Sequence, residues 1–416
     1  MDNMIMELAV RYGNKSETIK LGKEIEVKIL AGEVHRTKSD LRGVIERLKE
    51  EVREFLSDTP AFLVIVNDYT RPTPTAEILS LLEEEINKKE AHFLVALGSH
   101  RLPTTDEYYK IFGRFYDAFK DRITAHQAKE VSSLKFLGKT SFGTPVKLNE
   151  QVIRFPKIIT INSIEPHYFA GWTGGRKTFL PGVAGYETIT ANHKLSLKPL
   201  ARTLNLTSNP VSQDMEEVAQ MVEHPVLSIQ LIVDQKKELR DIKFGDLRKS
   251  FKEGVQEAKA VFCLPIEKRY DCVLAIIQPP YDIDFYQAQK GLENAKLGVK
   301  EGGVIILVSA CHKGIGDDEF IRVLQKSKKP KEVISDIEKN FLLGAHKSAK
   351  LAELVSYCEV LTVVPIEDNI INSIFMKAMK SISEAIDYCY KKFGKSFSLL
   401  YLPDATLVTP LSFSHQ

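Results

Sequence analysis

An apolar run at residues 158–161 leads into a loop crowded with glycine and proline, and a helical stretch at 186–198 follows directly. That order restricts the fold more than any other part of the chain. A buried strand that empties into a loop and then a helix is one unit of an α/β sheet, and such sheets hold ligands beyond the carboxyl ends of their strands. The stretch NSIEPHYFAGWTGGRKTFLPGVAGYETITANH carries His167, Lys177 and His193. Gly171, Gly174, Gly175, Gly182 and Gly185 let the backbone approach a ligand closely, and Pro166 and Pro181 stiffen the ends.

The segment GWTGGRKT is not a phosphate-binding P-loop. That motif needs Gly directly before the Lys and another Gly five positions upstream, whereas Arg176 precedes Lys177 here. What remains is a lysine in a glycine cradle beside Trp172 and two histidines. Partial burial would lower its pKa and make it a nucleophile or a covalent anchor. The plainer alternative is that Arg176 and Lys177 are solvated charges on a loop.

The same pattern occurs twice upstream. A charged amphipathic helix over 39–57 precedes an apolar strand at 62–66, which runs into Asp68 and Arg71; Pro72 then introduces a helix over 75–88 with Thr70 or Thr73 near its cap. Another strand at 92–97 ends in His100 and Arg101, and Thr104 and Thr105 stand before the acidic pair Asp106 and Glu107 as a helix entry. If the three strands are parallel neighbours, Asp68, Arg71, His100 and His167 share one sheet edge and converge. Singly, each has an ordinary reading as a cap, a surface charge or a satisfied turn residue.

With 416 residues the chain is long enough for two domains, since single cores rarely grow beyond roughly 250 to 300 residues. The first fifty residues open with short alternating segments at 4–10 and 24–30, read as edge strands or a hairpin. Helices over 187–223 break at Asn209 and Pro210, a strand follows at 227–233, and 241–259 reads as a charged linker leading into a helix. Near Ile266 a second α/β series begins, with strands at 270–277, 303–309, 358–364 and 398–408. The last of these could pair within its own domain or with the first. The expected architecture is therefore two α/β domains with mostly parallel sheets, residues 1–265 and 266–416, and an active-site cleft between them. No repeat at a solenoid period is present.

The second domain adds one cluster. After the strand at 270–277, a helix opening near Asp284 carries Tyr286, Gln287 and Lys290; Gln287 and Lys290 share a face and suit a carboxylate. The ordinary alternative is the wet side of an amphipathic helix. His312 and His346 are weaker candidates.

Charge excludes one function class. Lysine plus arginine number 57 against 55 acidic residues, intermixed, so a nucleic-acid binder relying on a basic surface is not expected. No apolar run approaches a membrane span, and the N-terminus lacks the form of a signal peptide, so a cytoplasmic protein is expected. The five cysteines show no CxxC pair and read as reduced structural thiols.

Two histidines on separate loops can act as a matched acid and base, and a third on a helix is a natural metal ligand. No GxGxxG stands at a strand–helix turn, which argues against a Rossmann-bound dinucleotide. Two bases, a carboxylate clamp and a lysine anchor point to inversion of a stereocentre beside a carboxylate. A different class also fits the histidines: a hydrolase with His100, His167 and His193 around a metal-bound water. A non-catalytic metallochaperone or cofactor store is a third.

Taken together, Asp68-Tyr-Thr-Arg71-Pro72, Gly98-Ser-His100-Arg101, His167 with the loop to Lys177, Asn192-His193, and Tyr286-Gln287 with Lys290 resemble the nickel-pincer lactate racemase family, in the family's order. The resemblance covers about residues 60 to 300 in motif detail. It implies nickel held by pyridinium-3,5-bisthiocarboxylic acid mononucleotide joined to Lys177, with Gly174 and Gly175 beside it and His193 as the remaining nickel ligand. It implies His100 and His167 as the acid/base pair, and Asp68 and Arg71 near the reacting hydroxyl. Tyr286, Gln287 and Lys290 would bind the carboxylate of a 2-hydroxy acid, and separate proteins would make the cofactor. Lactate-specific members have a second-domain Trp at the cleft. The single Trp here is Trp172, and His346 and Lys347 stand in that region, so a more polar 2-hydroxy acid is expected.

Overall fold

The computed structural model describes residues 5–31, 41–234 and 237–412. Contacts divide the chain into two compact units, Arg36–Val261 and a second formed by Met1–His35 together with Phe262–Gln416. Both are α/β units with mostly parallel sheets.

In the Arg36–Val261 unit a six-stranded sheet runs in the order Leu239–Asp246, Val226–Val233, Ile158–Ser163, Ala61–Asn67, Glu90–Ala96, Ile123–Ala125. All neighbours pair in parallel except the antiparallel edge Leu239–Asp246. Ile158–Ser163 is buried at every position, as a parallel strand covered on both faces must be. Leu48 and Val52 of the helix Leu41–Phe55, Ile78 and Leu79 of the next, and Phe112 pack against Phe62, Val64, Phe93 and Val95 on one face of the sheet. The order makes Ile158–Ser163, Ala61–Asn67 and Glu90–Ala96 adjacent and parallel, so the polar groups that follow them do emerge along one edge.

The other unit carries a second six-stranded sheet, wholly parallel, in the order Lys377–Ala378, Glu359–Val363, Val299–Val308, Tyr270–Ile276, Ser398–Leu402, Glu26–Ile29. The hairpin Ile5–Tyr12 with Lys15–Gly22 contributes Leu8, Val10, Ile19 and Leu21 to its core.

Here the domain expectation needs correcting. The first residues do not join the N-terminal domain of 1–265: Glu26–Ile29 pairs with Ser398–Leu402, and the chain changes unit at Phe262. Short alternating segments say that a strand exists but not where its partner lies. The expected last strand is two, Ser398–Leu402 and Thr409–Ser412, both paired within this unit. The supposed linker at 241–259 begins as the edge strand Leu239–Asp246 before the helix Leu247–Phe262. The helix over 75–88 breaks into Thr75–Leu81 and Glu83–Asn87, and its N-cap is Pro74 rather than a threonine, because Thr73 is engaged elsewhere. Thr104 forms the expected capping box with Glu107. Met4, Ser39 and Asp40, within two of the expected elements, lie outside the described residues.

All five cysteines are free and buried. Among the described residues no helix is long and apolar enough to cross a membrane.

His126 gives the fold a pH dependence. It is fully buried, its Nε2 donates to the carbonyl of Ala184 at 2.8 Å, and its Nδ1 lies 3.3 Å from Asn149 Nδ2, so the neutral ring is satisfied. Burial lowers its pKa to about 4. Unfolded histidine binds a proton near pH 6.5, so between about 6.5 and 4 the unfolded chain takes up more protons, and stability falls with pH by up to about 3 kcal/mol from this residue. Urea unfolding at pH 7, 5 and 4 should show that loss, and His126→Gln should flatten it. An unchanged slope in the variant would assign the acid sensitivity elsewhere.

Candidate active site

The loop after Ala61–Asn67 turns sharply, with Arg71 N–H donating to the Asp68 carbonyl at 3.2 Å. The Asp68 carboxylate is buried, and its Oδ1 accepts from Thr70 N–H at 3.1 Å and Thr70 Oγ1 at 2.7 Å. Its Oδ2 lies 2.5 Å from His100 Nδ1. Burial alone would raise this carboxyl, but the hydrogen bond and charge of His100, with Thr70 and Arg71, outweigh it and hold the pKa below the usual value. An ionised carboxylate only accepts, so in the neutral form of His100 the proton sits on Nδ1 and the lone pair on Nε2. The His100 side chain is half-exposed.

The second histidine is arranged the opposite way. Ala170 N–H donates to His167 Nδ1 at 3.3 Å, which puts the proton of the neutral ring on Nε2. That nitrogen is 3.5 Å from Lys177 Nζ. Burial, then the charges of Arg71 and Arg176, drive the Lys177 pKa well below its ordinary value. That direction favours the neutral amine, the form that can accept from this N–H.

Phe169 ties these groups to the third histidine. Its ring centroid is 4.6 Å from that of His167 and 5.1 Å from that of His193, and Lys177 Nζ sits 5.7 Å from it. His193, buried in the last turn of the helix Tyr186–Lys194, thus shares an aromatic wall with the lysine and His167. Arg71 acts electrostatically on both Asp68 and Lys177, which joins the two halves of the cluster. The loops also touch: Gly98 N–H donates to the Gly182 carbonyl at 2.8 Å.

A polar network sets the loops on the strand ends. Asn162 Nδ2 donates to Asn67 Oδ1 at 2.9 Å, Asn67 Nδ2 donates to Thr73 Oγ1 at 2.7 Å, and Thr178 Oγ1 donates to Asn162 Oδ1 at 2.6 Å. Thr73 also meets Ser163 Oγ at 2.9 Å. This fixes the segments bearing Arg71 and Lys177 relative to one another.

Neither basic residue of the glycine loop is a solvated charge. Arg176 is fully buried, donating to Ser212 Oγ at 3.1 Å and the Ala170 carbonyl at 3.0 Å over the Phe251 ring, and burial lowers its pKa to about 10. It is a clamp on the turn Gly175–Thr178. Gly174 and Gly175 hold positive φ of 83° and 51°; a Cβ on Gly174 would stand 2.7 Å from Gln230 Oε1, and one on Gly175 2.8 Å from the Phe251 ring. Gly175 N–H already donates to Gln230 Oε1 at 3.1 Å, so both glycines seat the loop on the interior.

Tyr286, Gln287 and Lys290 lie in the other unit, on the helix Phe285–Gly298 capped by Asp284, whose Oδ1 accepts from Gln287 N–H at 2.8 Å. Tyr286 packs edge-on to Phe320 at 5.6 Å, and Lys290 Nζ stands 4.1 Å from the Tyr281 ring centroid. Burial, then Asp317 and Asp284, push the Tyr286 phenol up to about 12, so it keeps its proton to donate. His312 is exposed on a turn, and His346 is buried at the start of the helix Ala345–Tyr357.

Sequence reasoning missed Phe169, Arg176 and the Asn67–Asn162–Thr178 network. Phe169 reads as a loop aromatic, and only its place between His167 and Lys177 hinted at contact. Among the described residues no three His, Cys, Asp or Glu side chains gather to hold a metal ion, which leaves the His-ligated hydrolase without its triad. A metal held chiefly by an organic group needs no such triad. A depressed lysine amine against an aromatic wall, with one histidine at hand, fits an attached group of that kind.

Two histidines and a lysine of lowered pKa beyond the strand ends of a parallel sheet stand where α/β folds hold their ligands. Residues 12–205 match the lactate racemase N-terminal domain and residues 272–409 the lactate racemase C-terminal domain. The chain is 28% identical over 369 residues to a lactate racemase of Lactiplantibacillus plantarum, covering 85% of this chain and 86% of that one. It is 26% identical to a lactate racemase of Thermoanaerobacterium thermosaccharolyticum, covering 83% of each. In fold it is similar to the lactate racemase apoprotein of that organism, with a TM-score of 0.86 over 98% of this chain and all of that one at 23% identity. A Thermotoga maritima protein gives a TM-score of 0.66 at 18% identity, covering 88% of this chain and 98% of that one. The chain belongs to the lactate racemase family of isomerases.

Proposed function

We propose that the chain inverts the C2 centre of a 2-hydroxy acid, lactate being the simplest, with His100 and His167 as the two acid/base groups and Lys177 as the anchor of a nickel-pincer nucleotide. The observation that carries this reading is that each ring is held at Nδ1, His100 by the Asp68 carboxylate and His167 by the Ala170 N–H, with Lys177 beside His167. Racemisation needs one neutral and one protonated ring at any moment, and the roles exchange for the other enantiomer.

When bound, the nickel-pincer group supplies a reversible hydride acceptor. His193 would be the protein's donor to the nickel, and the low pKa of Lys177 keeps its amine available for attachment. His100 takes the C2 hydroxyl proton of one enantiomer and His167 that of the other. Asp68 holds the His100 tautomer, and the Arg71 guanidinium stabilises developing alkoxide charge. Tyr286, Gln287 and Lys290 receive the substrate carboxylate. Gly174 and Gly175 contribute by holding the Lys177 turn in place. Separate proteins supply the cofactor, and five free thiols fit work in the reducing cytoplasm.

Intact-mass spectrometry of the chain co-produced with pincer-making proteins tests this reading. An adduct on Lys177, accompanied by interconversion of D- and L-lactate or a larger 2-hydroxy acid, is the expected result. Protein that turns over such substrates without added mass on Lys177 would overturn it.

A further inference from the structure

The helix that carries His193 is pinned at two points on one face. Thr188 and Asn192 of Tyr186–Lys194 stand four positions apart, and both are fully buried. Thr188 Oγ1 donates to the Pro145 carbonyl at 2.6 Å and accepts from Lys147 N–H at 3.0 Å, both in the strand Pro145–Asn149. Asn192 Nδ2 donates to the Val211 carbonyl at 3.2 Å and to Asp214 Oδ2 at 2.8 Å, both on the helix Pro210–Gln220. The Asp214 carboxyl in turn accepts from Thr140 Oγ1 at 2.6 Å and Thr144 Oγ1 at 3.0 Å, in the turn that joins Leu134–Lys139 to Pro145–Asn149. One hairpin therefore holds this helix directly at Thr188 and, through Asp214, at Asn192.

Closing the hairpin turn does not require that carboxyl. Thr144 N–H already donates to Thr140 Oγ1 at 3.2 Å, and Thr140 N–H to the Thr144 carbonyl at 3.1 Å. A fully buried carboxyl is costly to hold, and the two threonines leave its third bond unexplained. That bond reaches the residue next to His193 in the last turn, where helices fray. Two pins on one face, a turn apart, fix both the rotation of the helix and its position along its axis, and so aim the side chain of the adjacent residue.

We propose that Asp214 is a positioning residue for His193, acting through Asn192 to hold the imidazole where it meets nickel. This rests on the reading of His193 as the protein's donor to the metal. Asp214 acts at one remove and touches no reacting atom.

The test is the rate at which cofactor-loaded protein gives up nickel to excess EDTA, read by elemental analysis, with intact mass reporting the nucleotide still on Lys177. Asp214→Ala should release nickel about tenfold faster than the parent or more, the scale on which groups behind a ligand govern metal retention, with the mass on Lys177 unchanged. Asp214→Asn keeps an oxygen facing Asn192 and should release nickel as the parent does. Thr144→Val weakens the hairpin without breaking the Asn192 contact, so it should lower the melting temperature and leave nickel release unaltered. Should Asp214→Ala not fold, Asn192→Leu breaks the same contact from the other side and carries the same expectation. Release at the parent's rate in whichever of these two folds, or equally fast release from Thr144→Val, overturns the inference and leaves the racemase reading standing. A parent whose Lys177 carries no added mass after co-production with the pincer-making proteins overturns both.

Discussion

Lys177→Met should yield a folded protein whose racemisation does not exceed background, a loss on the order of 10⁴-fold or more, because the group that would do the redox chemistry has no covalent attachment. The same variant should melt no lower than the parent. Lys177 is held against its own charge by burial, Arg71 and Arg176, and an apolar side chain of similar length removes that cost while leaving Phe169 its packing partner. Function and stability should move in opposite directions at this one position. Thermal melts of the two proteins without cofactor, alongside racemisation assays after co-production, separate the possibilities. A drop of many degrees would mean that the Lys177–His167 contact supports the loop; retained activity would mean that the anchor lies elsewhere.

Asp68→Asn carries the second large effect. The carboxylate accepts the Nδ1 proton of His100 at 2.5 Å and is itself held by Thr70. An amide that presents its N–H₂ there turns the ring over to the other tautomer, with the proton on Nε2 and no lone pair for the substrate. General-base catalysis at a positioned side chain contributes about 10²–10⁴-fold, and kcat should fall within that range in both directions, since a racemase cannot complete a cycle with one competent base. KM should change little, because the residues proposed to bind the carboxylate are untouched. A change confined to KM would make Asp68 a substrate contact rather than an orienting partner of His100.

Much of this site is visible before any coordinates. The apolar runs before Asp68, His100 and His167 mark three strands, and chemistry placed just past each run is informative because parallel strands end on a common edge. The adjacency of those strands had to be assumed from sequence, and the sheet order makes it a fact. What periodicity could not reveal was partnership. Nothing in the run Thr-Gly-Gly-Arg-Lys distinguishes a buried Arg176 from a solvated one, because its partners are the Ala170 carbonyl and Ser212, one in the same loop and one on a later helix. Asn67 and Asn162 stand ninety-five positions apart, yet the hydrogen bond between them sets the spacing of the Arg71 and Lys177 loops. The misplacement of the first strands has the same origin, since alternation fixes which face is buried and says nothing about the neighbour.

That misplaced strand has a bearing on how the molecule is made. Glu26–Ile29 emerges from the ribosome early, but its sheet neighbour among the described residues, Ser398–Leu402, is synthesised nearly a full chain length later. The 41–261 unit can complete its core in the interval, while the other must wait for the final stretch before its edge is sealed. Dividing the gene at Phe262 would therefore give one self-sufficient half and one with a sheet still missing its outermost member.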